Sequence, residues 1–412
     1  MKFVITDQVI LSQEPEGPIK EHIEPFAKFI SAQGYALSSI RYQVRLATCF
    51  SRWLNLKSVE CCGITSGHVE QYLRYRARRI LSRSGDAAAL NHLFDFLRSQ
   101  DVIPTKTLPV LQLTPVENCV QVYEKYLRET RNLAEATILN YVPIVRCFLK
   151  SCFRCGAVNL STLCTRDIVK FVQHHASHLS PKRAKLMTCA LRSFLSHARY
   201  LGEIILDLSA AVPVVANWSM PSIPRGIPTE QVCQLLASID QRTAIGRRDY
   251  AILLLLARLG LRSGEVAFLE LNDINWNCGT MSVHCKGGLR NEFPLSFEVG
   301  KAISAYLKNG RALSTSRRVF LRAKAPVRGF RGSGAISSIV RHSLERAGIN
   351  APTYGAHQFR HGLATEMLRQ GASLCEIGDV LGHRHPQTTK IYTKVDIEAL
   401  RTLAIPWPGG VL

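Results

Sequence analysis

Acidic residues are scarce in this 412-residue sequence: Asp and Glu total 31 against 52 Lys and Arg, a formal charge of +21. Such an excess points to a polyanionic partner, with nucleic acid ahead of an anionic membrane surface. Long apolar runs are also missing. The longest, Ala251–Ala257, falls far short of the roughly 20 residues a membrane-spanning helix needs, so no membrane partner is expected. The first residues, Met1 to Leu11, include Asp7 and lack a basic region followed by an apolar core. They do not read as a secretory signal, and a cytoplasmic protein is expected. Gly (27) and Pro (18) are near average usage, and 46% of residues are hydrophobic. Collagen-like, low-complexity and mainly disordered classes are therefore excluded.

Several chemical motifs are absent as well. No carboxylate cluster has metal-ligand spacing, no phosphate loop of the form GxxxxGK[ST] occurs, and there is no GxSxG elbow. The parts for metal-assisted nuclease work, NTP hydrolysis and acyl transfer are lacking. The 13 cysteines are odd in number and scattered, as expected of reduced thiols in a cytosolic protein. Cys152 and Cys155 have metal or redox spacing, but no second pair sits at zinc-finger distance and the surroundings are helical. No metal and no cofactor is expected.

Length suggests two or three domains. Proline clusters divide the chain: Pro104, Pro109 and Pro115, then Pro213, Pro221, Pro224 and Pro228. Helices stop at such clusters because proline lacks the amide donor and restricts the residue before it. The segments are 19–103, 116–207 and 221–405. The first two read as a repeat. Phe26-Ala-Lys-Phe29 lies opposite Tyr123-Glu-Lys-Tyr126, Leu37-Ser-Ser-Ile40 opposite Glu135-Ala-Thr-Ile138, and Ala89-Leu90 opposite Ala190-Leu191, at an offset drifting from about 97 to 101 residues. Two unrelated helical units could give the same faint pattern. Ile138, Tyr141, Val142, Val145 and Phe148 form one helical stripe, with Pro143 inside it as a potential kink. Basic residues recur on other faces, among them Arg41, Arg45 and Arg52, Arg74 to Arg83, and Lys182 to Arg192. Charges mostly of one sign favour a surface that clamps a nucleic-acid backbone.

The third segment mixes element types. Thr229 is a candidate cap for a helix, Asp249–Leu259 reads as a buried helix, and Gly279–Lys286 alternates like a strand. Gly287-Gly288 turns it into a second strand at Asn291–Leu295. Helices are expected over 334–347, 357–370 and 373–381, with Gly371 and Gly382 at their ends. Arg, His, Lys and Tyr concentrate here in short groups: Leu259-Gly-Leu-Arg262-Ser-Gly-Glu265, Cys285-Lys286-Gly-Gly-Leu-Arg290, His357-Gln-Phe-Arg360-His361, Leu381-Gly-His383 and Ile391-Tyr392-Thr393. Two arginine forks match the oxygens of one phosphate. Lysine and histidine can move protons near neutrality. A tyrosine can attack phosphorus, although only about one phenol in a thousand is ionised at neutral pH. The set suits transesterification of a phosphodiester, with fixed guanidinium donors meeting the charge that grows on phosphate.

The order and spacing of these groups resemble the catalytic domain of the tyrosine recombinase, or phage integrase, family. Arg262 with Glu265, Lys286 in a hairpin, His357 with Arg360, His383 in LGH and Tyr392 nine positions later all stand in the family's order. The likeness covers about Pro221 to Leu403, and segment 116–207 more loosely resembles the family's helical core-binding domain. The implied fold is mainly α with a small β-sheet in the C-terminal domain: one or two SAM-like helical modules plus a mixed α/β catalytic domain. The implied activity is site-specific cutting and rejoining of double-stranded DNA through a 3′-phosphotyrosyl intermediate, on a mobile element. It needs neither ATP nor metal. The implied assembly is a homo- or hetero-tetramer, with companion recombinases a possibility, and the second and third segments forming a C-shaped clamp. By the same resemblance, Tyr392 is the nucleophile, Arg262 and Arg360 hold the phosphate oxygens, and Lys286 protonates the departing 5′ oxygen. His357 helps take the tyrosine proton, His383 donates to the phosphate, and Glu265 orients its neighbours.

Some assignments stay open on the residues themselves. Lys286 could be a solvated lysine of a hairpin tip; Arg290 is nearby, and Asn291 stands where the family often has arginine. His361 competes with His357, whose spacing is favoured, and His385 competes with His383. A helix at 396–404 could pack on its own chain or on a neighbour. Two other functions share much of this inventory: relaxation of DNA without strand exchange, as in a topoisomerase, and a non-catalytic DNA-binding accessory factor.

Overall fold

The structure, a computed structural model, describes residues 3–6, 9–11, 14–81, 85–104, 114–154, 156–215, 225–284, 290–351, 353–383, 385–395 and 401. Lys286 and all but one residue of the 396–404 tail segment lie outside the described residues. The chain forms two compact units, one of Met1–Thr105 with Ser222–Leu412 and one of Lys106–Pro221.

The first unit opens with a short antiparallel pair, β1 (Phe3–Thr6) and β2 (Val9–Leu11). Four helices follow: α1 (Ile23–Ala32), α2 (Leu37–Leu56), α3 (Ser66–Ala77) and α4 (Asp86–Ser99). Their inward stripes have helical spacing. Ile40, Val44, Ala47, Phe50 and Leu54 of α2 are all buried, and they meet Leu90, Leu93 and Leu97 of α4 in one core.

The second unit is also four-helical: α5 (Pro115–Lys125) running on into a π turn at Tyr126–Thr130, α6 (Glu135–Phe153), α7 (Thr165–Ala176) and α8 (Pro181–Tyr200). Pro143 sits on the exposed side of α6, and the helix runs through it.

Helix order and core positions correspond between α1–α4 and α5–α8. Phe26, Ile40, Phe50, Tyr72, Leu93 and Ile103 are buried in one; Tyr123, Ile138, Phe148, Phe171, Phe194 and Ile204 are buried in the other. Phe50 meets Tyr72 edge-on at 5.1 Å, and Phe148 meets Phe171 edge-on at 5.2 Å. Backbone exceptions correspond too. Gly34 (φ 78°) and Asn132 (φ 44°) end the first helix of each set; Asp101 (φ 54°) and Gly202 (φ 75°) end the fourth. After each of those last two, the next amide bonds back across the helix end, Val102 to Leu97 and Glu203 to Ala198, both at 3.0 Å. That is the closure a left-handed residue permits.

The remainder of the first unit carries α9 (Thr229–Ala237), α10 (Ala244–Arg258), α11 (Ser263–Ala267), the strands β3 (Ile274–Asn275), β4 (Thr280–His284) and β5 (Arg290–Pro294), then α12 (Phe297–Asn309), α13 (Gly334–Arg346), α14 (His357–Arg369), α15 (Leu374–Leu381) and the short α16 (Pro386–Thr389). A 3-10 segment, Lys390–Val395, follows α16. Six consecutive residues of α10, Ala251–Leu256, are buried, so that helix is enclosed on all sides, packed by α12 and α14 among others. The strands form one antiparallel sheet in the order β3-β4-β5, in register at Met281–Phe293 and His284–Arg290. Alternation points Met281 and Val283 into the core. Thr229, expected as a cap, is instead the first helical residue; Pro228, whose φ of −61° suits an N-cap, precedes it.

The N-terminal module touches this region directly. The Val327 amide donates to the Gln33 carbonyl at 2.9 Å, just after α1. The next residue, Gly34, has a positive φ, and a Cβ there would lie 2.6 Å from Val327 Cγ2. Glycine therefore meets two demands at one position, handedness and close approach.

Candidate active site

The candidate residues come from three places in the fold. Arg262 stands at the start of α11, just beyond the buried helix α10. His357, Arg360 and His361 occupy the first turn and a half of α14. His383 and Tyr392 follow α15, which Ser373 caps by accepting from the Glu376 amide and which Gly382 ends in a left-handed conformation.

One turn gathers them. The Arg360 guanidinium donates to the carbonyl of Leu381 and, at 2.8 Å, to that of Gly260. The Arg262 guanidinium donates to the adjacent carbonyl, Gly382, at 3.5 Å. Two arginines 98 positions apart in sequence are thus tied to consecutive carbonyls of the Leu-Gly-His turn. Gly382 also lies against the sheet, since a Cβ there would meet Asn291 Nδ2 at 2.5 Å. This places the first residues of β5 beside the turn. Residues 285–289 between β4 and β5, Lys286 among them, lie outside the described residues.

Glu265 fixes Arg262 twice. Its carboxylate accepts from the Arg262 guanidinium at 2.7 Å and from the Arg262 amide at 2.8 Å. The Glu265 side chain is only 5% exposed. A charge-assisted pair so shielded orients the fork far better than a solvated one.

Tyr392 is 1% exposed and packs in a small cluster with Ala364, Ile377 and Leu381. Its hydroxyl bonds to His361 Nδ1 at 3.0 Å. On another side the His383 ring lies nearly parallel to the phenol, at 5° and 6.4 Å between centroids. His383 is held by its Nδ1, which pairs with Thr389 Oγ1 at 2.8 Å, and by its amide, which donates to the Gly378 carbonyl. His357 lies one turn before His361, with ring centroids 6.4 Å apart.

Burial and positive charge act together on these groups. Desolvation lowers the affinity of His383 for a proton to a pKa of about 4, reinforced by Arg360, Arg262 and His361. His357 and His361 are held below the usual histidine value, first by burial and then by charged neighbours that include Arg360. In all three rings burial and the neighbouring charge favour the neutral form. Burial raises the Tyr392 pKa, and Arg360 and Arg262 oppose that rise. A cationic field thus reaches the phenol oxygen from both guanidinium groups, which is what a nucleophile bound for a phosphate requires.

Arg262, Glu265, His357, Arg360, His383 and Tyr392 therefore converge. The two competing histidines separate: His385 is exposed at the start of α16, whereas His361 reaches the phenol. It is His361, rather than His357, that contacts the Tyr392 hydroxyl. Spacing does not separate the two, since His357 and His361 are four apart on one helical face. Thr389 was not singled out by sequence and carries no motif that marks it. Among the described residues, no group of three His, Cys, Asp or Glu side chains is placed to hold a metal ion. A cavity of about 1070 Å³ lies elsewhere, between the start of α10, the 322–335 loop and α13, and includes none of these residues.

Residues 226–398 match the phage integrase family, and residues 120–200 match the N-terminal SAM-like domain of phage integrases. The chain is 54% identical to the integrase/recombinase y4rA of Sinorhizobium fredii, over 99% of each. It is 31% identical to the tyrosine recombinase XerC of Haemophilus influenzae over 284 residues, 68% of this chain and 92% of that protein. Its fold is similar to that of the XerH site-specific recombinase bound to a palindromic difH substrate (TM-score 0.55, 20% identity, 82% of this chain and 94% of the other). It is also similar to the Tn1549 transposon integrase in complex with circular intermediate DNA (TM-score 0.51, 18% identity, 69% and 98%).

Proposed function

The chain belongs to the phage integrase family, and from that premise we propose how this site works. The protein is a tyrosine-type site-specific recombinase. In our reading, the Tyr392 oxygen attacks a scissile phosphate in duplex DNA and forms a 3′-phosphotyrosyl link. Arg262 and Arg360 turn from their carbonyl tethers to the non-bridging oxygens, where planar forks fit two oxygens at once. His383 donates to the same phosphate through Nε2, since its Nδ1 is engaged by Thr389. Lys286 protonates the departing 5′ oxygen. Glu265 holds Arg262 in place, and a neutral histidine of α14 receives the phenol proton. The bond energy is kept in the covalent link, so rejoining needs no ATP.

The observation that carries this reading is the meeting of both guanidinium groups on the Leu381–Gly382 turn, with the phenol set between His361 and His383. A DNA substrate nicked near the cleavage position traps the link, because the short 5′ fragment diffuses away. Wild-type protein is expected to form the covalent adduct, and Tyr392→Phe to form none while binding DNA nearly as well. An adduct with Tyr392→Phe would move the nucleophile elsewhere. No adduct with wild type would favour the accessory-factor reading.

The partner we assign is double-stranded DNA of a mobile element, exchanged by a tetramer. The +21 charge supports a strongly salt-dependent grip. We take 116–207 as the core-binding domain, 221–405 as the catalytic domain, and 19–103 as a second copy of the core-binding unit. The correspondence of core residues, aromatic pairs and left-handed helix ends between α1–α4 and α5–α8 supports that duplication. A DNA-acting recombinase of this kind works in the cytoplasm, at the nucleoid.

A further inference from the structure

We infer that His361 is the group that takes the proton from Tyr392 during cleavage and gives it back during rejoining. The inference rests on the nucleophile reading above and adds to it the identity of the acceptor. Geometry selects this ring among the three histidines nearby. His361 Nδ1 is 3.0 Å from the phenol oxygen, and the two rings meet edge-on at 61° with centroids 5.7 Å apart. His383 turns the face of its ring toward the phenol, and its own Nδ1 is occupied by Thr389. His357 lies one turn earlier on α14, its ring 6.4 Å from that of His361.

An acceptor is needed here. Burial makes the phenol harder to ionise than a free one, and a free one is ionised only about once in a thousand molecules at pH 7. His361 is suited to accept because it stays neutral: burial, then the His357 and Arg360 neighbours, hold it below the usual histidine value. The charged or titratable groups that bear on it are His357 and Arg360 from α14, His383 from the turn after α15, and Tyr392 from the 3-10 segment.

The step balances as follows. His361 carries its hydrogen on Nε2 and offers the Nδ1 lone pair. As the phenol oxygen forms its bond to phosphorus, the O–H bond of Tyr392 breaks and an N–H bond forms at Nδ1. The phosphorus–O5′ bond breaks, and the 5′ oxygen leaves as a hydroxyl with a proton from the acid on its own side. During rejoining the 5′ hydroxyl attacks and gives its proton back to the conjugate base of that acid, the phosphotyrosyl bond breaks, and the imidazolium returns its proton to the phenolate.

The test uses full-length protein, a nicked trapping substrate under single-turnover conditions, and two tyrosine chemistries at position 392. His361→Gln is expected to bind DNA as wild type does and to cleave about 10²- to 10⁴-fold more slowly at pH 7, the range for loss of a general base. Replacing Tyr392 by a fluorinated tyrosine, whose phenol ionises nearer neutrality, should recover at least tenfold of that loss. A merely structural role for His361 would not produce this recovery. His357→Gln should show no such recovery. The assignment is overturned if His361→Gln cleaves within about threefold of wild type, or if its defect is the same with both phenols. If His361→Gln fails to bind DNA, the smaller His361→Asn takes its place under the same criteria. Absence of an adduct with wild type would instead remove the nucleophile reading and this assignment together, so the two failures are distinguishable.

Discussion

His383 makes the fold sensitive to acid, and the size of the effect can be worked out. Its pKa falls from 6.5 to about 4 in the folded protein, chiefly by desolvation. In the unfolded chain it titrates near 6.5. Between these values the unfolded state binds a proton that the folded state refuses, so stability falls as pH drops through this window and is unaffected above it. At pH 5 linkage gives about 2 kcal/mol for one such group. The ring is only half-buried, and solvent screening reduces this to about 1 kcal/mol. His383→Gln removes the titration. The perturbation is therefore read as a difference: wild type and variant are unfolded by urea at pH 7.5 and at pH 5. The loss between the two pH values should be about 1 kcal/mol smaller in the variant, or about 2–4 °C in Tm. His357, His361 and the carboxylates titrate in both proteins and cancel. Equal losses would show that His383 is protonated as readily in the folded state as in water, and the cationic pocket drawn around it would be wrong.

Other predictions follow from individual contacts. Glu265→Gln leaves Arg262 without its charged partner; it should cost about 1–3 kcal/mol of stability and slow adduct formation at least tenfold, and parity in both urea unfolding and trapping would show the pair to be idle. Asp101→Gly relieves a left-handed residue at the end of α4 and should raise stability by about 0.5–1 kcal/mol, whereas Gly202→Ala should lower it; a drop for Asp101→Gly would mean that the side chain matters more than the backbone there. Gly34→Ala adds a Cβ against Val327 at a positive φ, so cleavage of the 322–331 loop by a protease should accelerate, and unchanged digestion would show that the module does not brace that loop.

The sequence was most legible where its signals were local. Arg262, Glu265, Arg360, His383 and Tyr392 sit in short boxes at fixed spacing. The sheet at β4 and β5 announced itself by alternation ending in two glycines, and α10 by its unbroken apolar run. Which histidine meets the phenol was not legible. His357 and His361 share one helical face, and the choice depends on where the 3-10 segment after α16 lays Tyr392, a tertiary matter. The joining of the N-terminal module to the C-terminal part of the first unit was equally hidden. It includes a backbone hydrogen bond from the Val327 amide to the Gln33 carbonyl and a glycine beside it, and backbone pairing between loops leaves no periodicity. Thr389 escaped notice for the same reason, since a threonine that seats a histidine looks like any other threonine at a helix end.

The burial of Tyr392 constrains how the reaction begins. With 1% of its surface exposed, the phenol has no open side from which phosphorus could meet the oxygen in line. Both arginines are meanwhile engaged with the Leu381–Gly382 turn. Either the phosphate displaces packed side chains, or the segment that carries the tyrosine moves. The first would empty a cluster built on Ala364, Ile377 and Leu381, which belong to the packed helices α14 and α15. The second disturbs only Lys390–Val395, a single 3-10 stretch whose tight hydrogen bonds are weaker than those of an α-helix. The cheaper motion shifts that segment enough to open one side of the phenol, with its hydroxyl still on His361 and with α14 and α15 in place. A probe that reacts with accessible phenols should therefore spare Tyr392 in free protein and modify it when DNA binds but cleavage is blocked by Arg262→Ala. Equal reactivity in the two states would mean that the phosphate comes to the tyrosine, and the helices α14 and α15 would then have to part.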